Sequence, residues 1–137
     1  MIFYQAGYKY QLAKTYVLST EIKPPNPIRT KYIELTLRGK LTIRGGYAWD
    51  GPSGIAIDTP NFMRGSLVHD ALYQLLREEL LSACMREPVD KLLQNICLED
   101  GMSAIRAWWV YHGVRLGGGP AASPANRKII LQAPLED

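Results

Sequence analysis

The chain has 137 residues, 47% of them hydrophobic, with 16 Lys and Arg against 13 Asp and Glu and a formal net charge of +3. This excludes a disordered or low-complexity chain and leaves room for one core, while so mild a charge argues against nucleic-acid binding. Two cysteines, Cys84 and Cys97, exclude a disulfide framework and a zinc ribbon, and read as free structural thiols on helices.

No apolar run reaches the roughly 18–20 residues of a membrane helix. The opening MIFYQAGYKY has no basic region followed by an apolar stretch, so no signal peptide is expected. Residues 1–50 carry eight basic and three acidic side chains, and residues 51–116 carry six and eight. A basic first third beside an acidic second third reads as solvated strand faces, and as a weak signal for a partner surface.

In chain order, residues 8–22 are rich in Tyr, Val and Thr and predict one or two strands. Pro24, Pro25, Asn26 and Pro27 make a loop. Residues 31–38 alternate, with Tyr32, Glu34, Thr36 and Arg38 on one face and Ile33, Leu35 and Leu37 on the other. Gly39-Lys40 reads as a turn into a second strand, LTIRGGY, which completes a hairpin. The stretch 45–60 is a structured loop. Thr59-Pro60 opens a helix over 62–81, with Leu67, Val68, Leu72, Leu75, Leu76 and Leu80 at helical spacing.

A second helix starts near Pro88, buries Val89, Leu92, Leu93, Ile96 and Cys97, and stops at Asp100-Gly101. A third, about 102–116, turns Ile105, Trp108, Trp109 and Val114 toward a core and ends at Gly117–Gly119. Residues 117–126 read as a Gly/Pro/Ala linker and 127–137 as a strand-like or partner-docking tail. Strands followed by helices predict an α+β fold, as a single domain over residues 1–116.

Three features carry candidate chemistry. His69 and Asp70 lie mid-helix among apolar neighbours, with Tyr73 one turn on and Arg77 continuing the row. A buried carboxylate there must be paired or bind a cation. The group reads either as a general base, a metal ligand and an orienting hydroxyl, or as a polar network that holds helices together. The loop Gly45–Gly54 contributes backbone carbonyls at Gly45 and Gly51 and the Asp50 side chain, donors suited to a hard cation such as Ca²⁺; it reads equally as a tight connecting turn. Asp90 either favours its helix dipole or crosses over to orient His69. In the second case it lies within hydrogen-bond reach of His69 Nδ1, beside an open cleft. Trp108, Trp109, Tyr111, His112 and Arg115 form an aromatic stripe of core type, with His112 a surface histidine. Ser53 and Ser66 lack a nucleophile-elbow context.

In order, the blocks GGYAWDGPSG, TPNFMRGSLVHDALYQL, REPVD and AIRAWWVYHGVRLGG resemble a family of small phage and prophage proteins known as domain of unknown function 1353. The resemblance covers about residues 30–117 and implies a phage or prophage gene and a small α+β domain. More distantly, the loop followed by His69, Asp70 and Tyr73 is similar to phospholipase A2. That likeness implies a three-helix phospholipase-A2-like part, which here would follow the N-terminal antiparallel sheet of hairpins that phospholipases A2 do not share. It makes His69 the general base for an attacking water, Asp90 its partner and Asp70 a calcium ligand with the 45–54 loop, the cation stabilising an ester oxyanion.

Two functions follow as expectations. One is a small virion or virion-associated protein, in the virion or the host cytoplasm, that binds phage structural proteins or itself through its sheet and tail. The other is a calcium-dependent hydrolase of lipid or cell-envelope esters that uses the His69/Asp90 dyad. Neither calls for nucleic acid or a transmembrane segment.

Overall fold

A computed structural model describes residues 1–5, 10–49 and 59–123. An antiparallel strand region is followed by helices, so the fold is α+β. The strands are β1 (Tyr4–Gln5), β2 (Tyr10–Leu12), β3 (Tyr16–Ser19), β4 (Ile28–Arg29), β5 (Ile33–Leu35), β6 (Lys40–Ile43) and β7 (Ala48–Trp49). One sheet has the order β1-β2-β7 and the other β3-β6-β5-β4, with every pairing antiparallel.

The β5–β6 hairpin follows the alternation in its sequence. Ile33 pairs with Ile43 and Leu35 with Leu41, all four fully buried, while Glu34 and Thr42 pair on the outer side. The strand is shorter than the alternation predicts. Thr36 Oγ1 accepts from Lys40 N and Thr36 O from Gly39 N, both at 3.0 Å, so the chain turns at once. Leu37, expected to face inward, is therefore exposed in that turn, and Lys40 already belongs to β6. Gly39 has φ +89°, and Thr20 N and Oγ1 both donate to its carbonyl, at 2.8 and 2.7 Å.

The helices are α1 (Pro60–Arg77), α2 (Arg86–Glu99), α3 (Ala104–Gly117) and α4 (Gly119–Ala122), with a 3₁₀ turn over Ala83–Met85 before α2. Pro60 in the first turn starts α1 as its fixed φ suits. Twelve of the 18 residues of α1 are buried, so any polar group it carries inward must find a partner. Its Leu67, Val68, Leu72, Leu75 and Leu76 join Leu12, Ile33, Leu35, Leu41 and Ile43 of the strands in one core. A second cluster, Phe62, Leu93, Cys97, Met102, Ala107 and Val110, packs α2 and α3 beside α1. Trp49 Nε1 donates to Ser66 Oγ at 3.0 Å, tying β7 to α1. Among the described residues no helix is long and apolar enough to cross a membrane.

Four expectations are corrected here. Leu80 lies beyond α1 and is exposed, because the helix closes at Glu78. Ile105, Trp108 and Trp109 point outward at 74, 49 and 61% exposure. Ala107 and Val110, with half-buried Val114, make the inner face of α3 instead. The start of the expected linker, residues 117–123, is the end of α3 followed by the short turn of α4. It runs close beside α1, where a Cβ added at Gly118 would lie 2.8 Å from the Tyr73 hydroxyl; residues 124–137, including the tail, lie outside the described residues. Finally, only Cys97 is a buried thiol, while Cys84 is exposed on the 3₁₀ turn.

The two thiols should therefore react very differently. Burial, reinforced by the Asp100 charge, pushes the Cys97 thiol up to about 12. Native protein treated with a chromogenic disulfide reagent should release one equivalent quickly. The second should appear only on denaturation, and Cys84→Ser should abolish the fast phase.

Candidate functional site

The site is built where three helices meet. His69 and Tyr73, one turn apart on α1, face Asp90 of α2, and Arg115 reaches in from the last turn of α3. The Asp90 side chain is fully buried and all its hydrogen bonds are charge-assisted. Oδ1 accepts from Tyr73 OH at 2.6 Å and lies 2.7 Å from His69 Nε2; Oδ2 accepts from Arg115 Nη1 at 2.9 Å. Burial alone would push the Asp90 carboxyl up, but hydrogen bonds from His69, Tyr73 and Arg115 together hold it below its ordinary value. It is thus a carboxylate, which only accepts, and the proton of a neutral His69 ring sits on Nε2.

That choice leaves the lone pair on Nδ1. Nδ1 makes no hydrogen bond to any described residue, and the ring retains 14% side-chain exposure. The nitrogen expected to meet Asp90 was Nδ1, and the structure uses Nε2. The Tyr73 ring lies against the imidazole with centroids 4.0 Å apart, so packing and hydrogen bonding fix the same orientation. Burial, with the Asp90 hydrogen bond, pushes the Tyr73 hydroxyl well above its usual range, and it stays a donor.

Arg86 closes the back of the group. Its Nε donates to Tyr73 OH at 3.2 Å, and its Nη2 donates to the Val114 and Arg115 carbonyls at 2.9 Å each. These are carbonyls at the C-terminal end of α3, where a cation is favourable. One arginine thus fixes the stretch of α3 from which the other reaches Asp90. Sequence reasoning singled out His69, Tyr73 and Asp90 and missed both arginines' roles. Arg86 stood out only for lying four residues before Asp90 around Pro88, and Arg115 only as part of the aromatic stripe; nothing in a 25-residue separation points Arg115 at Asp90.

Asp70 points elsewhere. Its Oδ2 accepts from Tyr47 OH at 2.9 Å, and Tyr47 also donates to Gln74 Oε1 at 3.3 Å. Burial, with the Asp70 charge, raises the Tyr47 hydroxyl well above its usual range. Tyr47, also unforeseen, comes from the turn after β6. Gly45 belongs to that turn, its N donating to Thr15 Oγ1 at 3.1 Å, and no described interaction links it to Asp70. Asp50 and Gly51 lie outside the described residues.

Calcium favours six to eight oxygens. The described residues bring one carboxylate, Asp70, with one oxygen already engaged, and among them no three His, Cys, Asp or Glu side chains gather for a metal. They do not by themselves fit the cation.

A cavity of about 670 Å³ lies elsewhere, at the start of α1, lined by Met1, Ile2, Met63, Arg64 and Asp100 among others. Arg64 is engaged there. Its guanidinium bonds Asp100, Glu99 and Tyr16 OH at 2.7–3.2 Å, joining β3, α1 and the end of α2. Set against family models, curated proteins and solved structures, the chain matches none.

Proposed function

We propose that the chain is a hydrolase that activates water on His69, with Asp90 as the orienting carboxylate and a carboxylic ester as the substrate class. The observation that carries this reading is the 2.7 Å contact between His69 Nε2 and a fully buried Asp90, which leaves Nδ1 as the base. Water gives its proton to Nδ1 as its oxygen bonds to the ester carbonyl carbon. The imidazolium, steadied by Asp90, then returns that proton to the leaving alkoxide as the carbon–oxygen bond breaks. Asp90 stays ionised throughout. Tyr73 and Arg115 act through Asp90 and are positioning residues.

The test is turnover of short- and long-chain chromogenic esters, with and without calcium, by wild type and His69→Gln. General-base removal should lower the rate roughly 100- to 10,000-fold. Thermal unfolding of the variant should stay near wild type, since Asp90 keeps Tyr73 and Arg115. No turnover by wild type, or equal turnover by the variant, removes the reading. A second reading, a phage-encoded component that assembles with its neighbours, is favoured by a different observation, the apolar outer face of α3. It predicts assembly whether or not esters are cleaved.

A further inference from the structure

Helix α3 is apolar on two sides. Ala107, Val110 and Val114 face the core, and Ile105, Trp108, Trp109, His112 and Leu116 recur at i, i+3, i+4, i+7 and i+11 as a second stripe. Ile105, Trp109 and Leu116 are 74, 61 and 89% exposed. The Trp108 ring lies 5.3 Å from Trp109 and 4.1 Å from His112, so the centre of the stripe is a continuous aromatic surface. Two tryptophans, an isoleucine and a leucine exposed to this degree present on the order of 500 Å² of apolar surface, near the upper end of what monomers show.

We propose that this stripe is the contact between two copies of the chain, with their α3 helices packed antiparallel about a two-fold axis. The stripe is self-complementary in that arrangement. An axis through its midpoint sets Ile105 against Leu116 of the second copy, and Trp109 against its His112. A two-fold interface requires each residue to meet its counterpart reciprocally, and these pairs satisfy that. The area is also of the right order. A standard interface buries about 800 Å² per partner, and the apolar stripe supplies its core. The flanks do not favour a lipid surface. The two arginines beside the stripe are committed inside the molecule, Arg115 to Asp90 and Arg106 to Thr59.

Light scattering on the purified 137-residue chain tests this, together with a charge-exchange experiment. Wild type should have twice the 15.4 kDa chain mass. Ile105→Glu and Leu116→Lys should each be monomeric, with unchanged circular dichroism because both positions are solvent-facing. Mixed, they should form a heterodimer, since the introduced charges meet at one end and the native apolar pair at the other. His69→Gln should dimerise like wild type, which separates this result from the fate of the hydrolase reading. A monomeric wild type overturns the proposal, including one that instead partitions onto phosphatidylglycerol vesicles or whose residues 124–137 cover the stripe. A dimer that survives either substitution, or a mixture that stays monomeric, does so too.

Discussion

Asp90→Ala is expected to lower the unfolding free energy by about 3–5 kcal/mol, the range for removing one partner of a buried ionic group. Domains of this size hold roughly 5–15 kcal/mol in all, so chemical denaturation should show a transition moved far toward low denaturant. The cost arises from what is left behind. Tyr73 is buried, and its hydroxyl would lose its acceptor at 2.6 Å; Arg115 would lose the counter-charge at 2.9 Å; the His69 ring would lose its anchor. Asp90→Asn keeps the shape and one acceptor oxygen, and should cost less.

The same carboxylate sets a pH dependence, and its sign follows from the direction of the shift. The folded Asp90 is held below its ordinary value of 3.8, so the folded state binds its proton less readily than the unfolded chain does. Its stabilisation is therefore complete above about pH 4 and is lost as pH falls through the lower folded value. The stability gap between wild type and Asp90→Asn should narrow as pH falls below about 4. A gap that stays constant down to pH 2 would mean that Asp90 titrates alike in the folded and unfolded chain, and one that widens as pH falls toward 4 would mean that it is protonated in the fold.

The second large effect is expected at the hairpin turn. Gly39 has φ +89°, and a Cβ there would lie 2.2 Å from the Thr20 carbonyl oxygen. Gly39→Ala thus adds left-handed strain of about 1–2 kcal/mol to a backbone clash of similar or larger cost, about 3 kcal/mol together. Relieving the clash means moving the turn off β3 and breaking both Thr20 hydrogen bonds to Gly39. Gly101, which follows α2, is the control. Its φ is +95°, but nothing lies within 4 Å of its added Cβ, so Gly101→Ala carries the strain alone. Thermal melts should place Gly39→Ala well below Gly101→Ala, and Gly101→Ala only modestly below wild type.

Much of this architecture was legible in the sequence because it rests on local periodicity. Period-two alternation located β5 and β6, and leucine spacing located α1 and α2. The row His69, Tyr73 on one face of α1 needed only helical geometry, and Asp90 was a candidate partner by its spacing alone, near the start of the next helix. The reading failed where the periodicity is ambiguous. α3 is apolar around most of its circumference, so the large side chains were assigned inward, while the smaller Ala107 and Val110 take the close approach to α2. The same ambiguity hid the outer stripe. Tyr47 with Asp70, and Arg115 with Asp90, are pairings across 23 and 25 residues between separate elements. Only packing creates them, and no spacing rule encodes them.

The proton on His69 offers the most direct test of the dyad. The chain has two histidines, His69 and His112, so His112→Gln leaves a single imidazole to observe. Nitrogen-15 chemical shifts of the neutral ring should give a protonated Nε2 and a lone-pair Nδ1, the state in which Asp90 holds the ring and Nδ1 receives the proton from water. A proton on Nδ1, or rapid averaging over both nitrogens as in a free imidazole, would contradict it.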